Sequence, residues 1–194
     1  SSAASDGYKR QGRNVSFDPR FVRLETGEAH PFGNFACMCE PADQAGTTAA
    51  IEPLIRRNAP AAVFFVGPVA DSIMQQLSTA GFERAGGLPA MAVDIDRNLA
   101  KTSLPAGYNF ARVTAVADRN AWSDTFAHGY GLPLPVGAAF AGGIDGNASA
   151  DAPVQYFWIL KNDKPVCTSL VYLKNGVAGI YGVATLPEER KKGL

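Results

Sequence analysis

The residues that can do chemistry by type and spacing fall in three stretches of this sequence. The most informative is Val177 to Leu194, VAGIYGVATLPEERKKGL, where a strand pattern breaks at Thr185-Leu186-Pro187 and the cations Arg190, Lys191 and Lys192 run into Gly193 and Leu194. A strand leading directly into a basic, glycine-containing turn brings free backbone N–H groups and positive charge to one spot, which suits a phosphate or pyrophosphate. The second stretch, Cys37-Met38-Cys39, has the look of half a metal site, but no second Cys/His pair stands at ligand spacing and His30 and His128 are isolated. These cysteines read as small buried apolar side chains, and no metal is expected. The third is Asp94 and Asp96, which alternate along an apolar run and read as the polar face of an edge strand rather than as metal-binding carboxylates. No G-x-x-x-x-G-K-[ST] occurs, which excludes a P-loop nucleotide enzyme.

Composition narrows the partners. The 18 basic and 18 acidic side chains cancel, so no global field draws the protein to nucleic acid or an anionic membrane, and any anion affinity is local. The hydrophobic fraction of 46% is ample for a packed core. Apolar runs such as Ala61 to Val66 fall well short of the roughly 20 residues that span a bilayer. Three cysteines, Cys37, Cys39 and Cys167, cannot all pair, which fits a reducing cytoplasm. The first residues, SSAASDGYKRQGRN, have no apolar centre and read as a flexible lead-in.

The elements that must position the basic turn follow from periodicity. Residues 1–34 show no sustained period and read as an arm, punctuated by Pro19, Gly27, Pro31 and Gly33. Residues 35–100 read as a small α/β module. In it, a helix from Thr47 to Asn58 has Thr48 as cap and Pro53 limiting it or lying in its first turns. Ala61 to Val66 reads as a strand buried on both faces, and a helix carrying Val69, Ile73, Met74 and Leu77 stops at Gly81. The module closes with a strand from Ala90 to Ile95. A boundary falls near Lys101 to Gly107, and the remainder, 105–194, opens with a strand over Tyr108 to Val116. Asp118 is placed to cap a helix that carries Trp122, Phe126 and Tyr130 as core aromatics. Gly137 to Ala152 reads as a mobile small-residue loop. Three antiparallel strands follow, Val154 to Lys161, Val166 to Leu173 and Val177 to Thr185, the last two joined by the hairpin signal Asn175-Gly176.

The order strand, helix, glycine-rich loop and three antiparallel strands, ending in VATLPEERKKGL, resembles the GNAT superfamily of acetyl-CoA-dependent N-acetyltransferases. The family signature after the fourth strand is [RQ]-x-x-G-x-[GA], and Arg190-Lys191-Lys192-Gly193-Leu194 matches its first five positions. The resemblance covers about Tyr108 to Leu194 and implies an α/β (α+β) fold with a mixed, mostly antiparallel sheet flanked by helices. It implies acetyl-CoA as co-substrate, held along Val183, Ala184 and Thr185 by backbone pairing with the pantetheine arm and by the N–H groups from Arg190 to Leu194 at the pyrophosphate. Gly193 then lets backbone approach oxygen closely. The acceptor expected is the amine of a small molecule and the assembly a homodimer; the general base is unassigned. Family members often use a glutamate on this strand, and here its only titratable side chain before the turn is Tyr181, which reads as packing or substrate lining.

Two alternatives stand beside this. The terminal stretch also fits a solvated capping-box helix, with Thr185 as N-cap, Pro187 in the first turn, Glu188 three residues on and Gly193 past the end. The second alternative is a non-catalytic binding or scaffold protein with the same fold. The family fold continues past the loop, so the reading favoured is a fragment with a degenerate GNAT-like N-terminal module; a sequence cut at disorder, or a module that itself supplies the missing strands, are the other two.

Overall fold

The computed structural model describes residues 14–39, 43–87, 91–95, 103–144, 149 and 151–194. The chain divides into two units, Ser1–Thr102 and Ser103–Leu194, each with its own four-stranded sheet and helices.

In the first unit, β1 (Asn14–Asp18), β2 (Phe21–Glu25) and β3 (Asn34–Met38) form an antiparallel meander, α1 (Gln44–Arg56) crosses over, β4 (Ala62–Phe65) pairs parallel with β3, and α2 (Asp71–Thr79) follows. From Asn14 onward the expected arm is therefore sheet. Its period was hidden because β2 turns Phe21, Arg23 and Glu25 to the core and leaves Val22 and Leu24 half-buried, the reverse of the usual polarity. The inward charges are satisfied: Arg23 Nε donates to Glu25 Oε1 at 2.8 Å and Arg57 Nε to Glu25 Oε2 at 2.6 Å. Burying these charges costs desolvation, which the hydrogen bonds and charges of their partners offset.

The α1 helix starts three residues before the expected Thr47, with Asp43 as its cap, accepting from the Gly46 N–H at 2.5 Å. Thr48 lies inside the helix, its hydroxyl donating to the Gln44 carbonyl. Pro53 does not limit the helix. Its missing N–H leaves the Ala49 carbonyl without a helical donor, and Arg23 Nη1 supplies one at 3.0 Å. Strand β4 is the edge of its sheet and only half-buried, not covered on both faces. The α2 helix ends as its glycine implies: Gly81 has φ +86°, its N–H bonds to Ser78 and that of Phe82 to Leu77, closing the last carbonyls. Residues 91–95 form no strand, and Met91, Val93 and Ile95 are exposed. Apolar alternation alone does not make a strand without a neighbour to pair with. Asp94 lies in this irregular piece, while Asp96 and Ala90 lie outside the described residues.

In the second unit, β5 (Tyr108–Val113) leads through a single 3-10 turn into α3 (Arg119–Tyr130) and α4 (Leu134–Phe140), and β6 (Val154–Lys161), β7 (Lys164–Lys174) and β8 (Val177–Thr185) follow as an antiparallel meander. The sheet order is β5-β6-β7-β8, so β8 is its edge. Asn175 and Gly176 take φ +52° and +76°, the left-handed pair of a type I′ hairpin. The α3 helix begins where expected, but Asp118 makes no side-chain cap. Trp122 and Phe126 are buried and stacked with ring centres 5.4 Å apart, whereas Tyr130 is half exposed. The expected mobile loop is helical over its first part: Val136, Gly137 and Ala139 of α4 pack inward, and a side chain at Gly137 would meet the Ser123 carbonyl of α3 at 2.6 Å. Small residues there serve close helix packing rather than motion.

Candidate functional site

The candidate site centres on β8, which is irregular towards its C-terminal end. The β7–β8 register runs Leu170↔Tyr181 on one side and Thr168↔Ala184 on the other, so β8 carries one residue more than β7 between them. Gly182 takes φ +59°, and the Thr168 hydroxyl donates to its carbonyl at 3.1 Å. This is a bulge opened by a left-handed glycine. It leaves Val183 exposed and without an opposite residue on β7, while Ala184 is buried. Ala184 touches α3 closely enough that a Cβ at Gly129 would come within 2.8 Å of it. Among the described residues no strand pairs with the outer edge of β8.

Beyond β8 the chain does not form the capping-box helix. A single 3-10 turn, Pro187–Glu189, has no side-chain cap, and Arg190 is extended. Lys191 then has φ +62° and Gly193 φ +75°. Among the described residues, the backbone N–H groups of Lys191, Lys192, Gly193 and Leu194 donate to no acceptor. A run of unpaired N–H groups through left-handed residues makes a concavity for an anion.

The three cations behave differently from one another. The Arg190 guanidinium is not free: Nε donates to the Thr185 carbonyl at 3.2 Å and Nη2 to the Gly129 carbonyl at 2.7 Å. It ties the end of β8 to the C-terminal turn of α3, where helix carbonyls lack partners. Lys192 pairs with Glu189 Oε2 at 2.9 Å, and Lys191 is exposed.

Glu189 had no signal in the sequence, where an acid between Pro187 and the basic run looks solvated. It is buried, accepting from Tyr108 Oη at 2.5 Å and from Lys161 Nζ at 2.9 Å, besides Lys192. The hydroxyl of Tyr108 and the two ammonium groups hold its carboxyl far below the ordinary 4.5, down to about 2. The hydrogen bonds of Lys161 with Glu189 and Tyr108 in turn raise its own pKa. A carboxyl with a depressed pKa contributes stability that is present above its unfolded value and lost as pH falls through its folded one. Stability of this chain should therefore drop between about pH 4.5 and about 2. Asp18, lowered to about 2 by its hydrogen bonds from Arg20, titrates in the same window. The share due to Glu189 is the difference between wild type and Glu189→Gln in acid unfolding curves, and equal slopes would contradict it.

Tyr181 leans back along the strand, its ring over Gly179, and is exposed. Cys37 on β3 and Cys39 just after it are exposed rather than buried, Cys167 is buried beside the Thr185 hydroxyl, and burial pushes the Cys167 thiol up. The described residues hold no group of three or more His, Cys, Asp or Glu placed to bind a metal ion. No described helix is long and apolar enough to cross a membrane.

No family model and no curated protein matches this chain. A solved structure described as a GCN5-related N-acetyltransferase from Kribbella flavida matches it with a TM-score of 0.61 at 22% identity, over 99% of this chain and 73% of that one. The chain has the GNAT fold. At this identity the likeness reaches the fold, a mixed α/β arrangement of mostly antiparallel sheets flanked by helices.

Proposed function

We propose that this chain binds acetyl-CoA along β8 and transfers its acetyl group to the amine of a small molecule. The observation that carries the reading is the coincidence, at one end of a strand edge that pairs with no other strand among the described residues, of the bulge at Gly182 and the N–H groups from Lys191 to Leu194 that find no acceptor among the same residues. A pantetheine arm has amides that can pair with the free edge at Val183 to Thr185 much as a strand would. The pyrophosphate meets the N–H groups of Lys191 to Leu194, with Lys191 and Lys192 supplying charge. Arg190 serves by clamping this loop to Gly129 rather than by reaching the ligand.

In the transfer, the amine nitrogen forms a bond to the thioester carbon, the C–S bond breaks, the sulfur leaves as thiolate, and the nitrogen loses a proton. Free alkylamines have pKa values near 10, so a base or a water relay must take that proton. A backbone N–H of the bulged segment is the donor this reading assigns to the developing oxyanion. The equal counts of acidic and basic side chains favour a small acceptor over a strongly basic polypeptide tail. One observation favours the second reading, a protein of this fold that binds without turnover: β8 carries no glutamate, and its Tyr181 lies back over Gly179. Thiol release from acetyl-CoA against a panel of small amines separates the two. Acceptor-dependent release supports transfer, binding without release supports the second reading, and neither would overturn both.

A further inference from the structure

The carboxylate of Glu189 is used by nothing in the transfer just described, yet it is only 7% exposed and sits next to a loop read as receiving phosphates. An unpaired carboxylate there would repel a diphosphate. This one has all its charge engaged: Tyr108 from β5, Lys161 from β6 and Lys192 from the loop itself converge on it. Two ammonium groups against one carboxylate leave the cluster positive. The main chain of the same residue is also tied, its N–H donating to the Leu186 carbonyl at 2.9 Å.

The loop beyond has no such support of its own. The N–H groups of residues 191–194 make no internal hydrogen bonds among the described residues, and Lys191 holds a left-handed φ of +62° that a side-chain-bearing residue does not adopt freely. Backbone in that state persists only where its surroundings determine it. The surroundings here are two adjacent residues: Glu189, anchored to β5 and β6, and Arg190, anchored to the ends of β8 and α3.

We propose that Glu189 is a positioning residue for the anion loop, presetting the N–H groups of Lys191 to Leu194 and the Lys192 ammonium for the diphosphate portion of the ligand. Fixing a loop in its bound form before the ligand arrives removes an ordering cost from binding. The identity of the ligand rests on the acetyl-CoA reading; the ordering of the loop does not.

The test compares wild type, Glu189→Gln, Lys192→Met and the double variant. Glu189→Gln should weaken binding of coenzyme A about tenfold while leaving affinity for S-acetylpantetheine, which lacks the diphosphate, unchanged. The double variant should bind coenzyme A more weakly than Glu189→Gln alone, because Lys192→Met also removes an ammonium group that this reading places at the diphosphate. Backbone 15N relaxation, which needs no ligand, should show residues 191–193 rigid in wild type and mobile on the fast timescale in Glu189→Gln. Equal rigidity in the two proteins, or equal loss for coenzyme A and S-acetylpantetheine, would overturn the proposal. Wild type that fails to bind coenzyme A would defeat the acetyl-CoA reading alone, with the relaxation comparison still deciding the role of Glu189. Should Glu189→Gln not fold, Tyr108→Phe removes one of the three contacts and should loosen the same residues to a smaller extent; no loosening there counts against the proposal.

Discussion

Gly193→Val should weaken acetyl-CoA binding about a hundredfold while costing the fold only about 1–2 kcal/mol. The two effects separate because of what surrounds the residue. A Cβ built on Gly193 meets nothing within 4 Å, so the folded chain has room for a side chain. The stability cost is then confined to the left-handed backbone, φ +75°, which a β-branched residue adopts poorly. With a diphosphate in place the same space is filled by oxygen, and the valine methyl groups would hold it away from the N–H groups of residues 192–194. Chemical denaturation and calorimetry on the same variant check both halves. A large stability loss with affinity intact would mean that the loop is structural and the ligand lies elsewhere.

Trp122→Ala should cost about 3–5 kcal/mol, the largest stability loss expected in the second unit. Trp122 is wholly buried, stacks on Phe126, meets Tyr156 edge-on at 5.0 Å and donates its indole N–H to the Phe157 carbonyl at 3.0 Å. Truncation leaves a cavity and deprives that carbonyl of its indole donor, and the two penalties add. The loss also reaches the site. The ring lies 3.6 Å from where a Cβ on Gly182 would stand, so it supports the bulge from beneath. Acetyl-CoA affinity should fall along with stability, whereas Trp122→Phe, which keeps a buried ring but loses the hydrogen bond, should retain binding. Urea unfolding followed through the second unit is the measurement, and a loss under about 1 kcal/mol would contradict the packing assigned to this residue.

The β6-β7-β8 meander was legible because Asn175-Gly176 demands a left-handed pair and the strands around it alternate. The end of α2 was legible for the same reason, a glycine at a position that only glycine takes easily. Trp122 and Phe126 were readable as core from their spacing alone. The division of labour within the basic turn was not legible, since nothing in Arg-Lys-Lys says that the first cation clamps Gly129.

The failures have physical causes. Strand β2 hid because its charged residues face inward, a choice that works only with partners such as Arg57, distant in sequence. Residues 91–95 looked like a strand because side-chain alternation is a local property and pairing is not. Glu189 was invisible because its burial depends on Tyr108 and Lys161, which the sheet brings to it across the unit. One signal was present and unread: Gly182 within an otherwise regular strand is the usual mark of a bulge or of a close backbone approach.

The claim that acetyl-CoA lies along β8 and ends at the basic turn is tested most directly by mapping amide chemical-shift changes as acetyl-CoA is titrated into the uniformly 15N-labelled chain. The expected result is a saturable set of perturbations centred on Val183 to Thr185 and on Lys191 to Leu194. Saturation without change at those amides, or no perturbation at all, would contradict it.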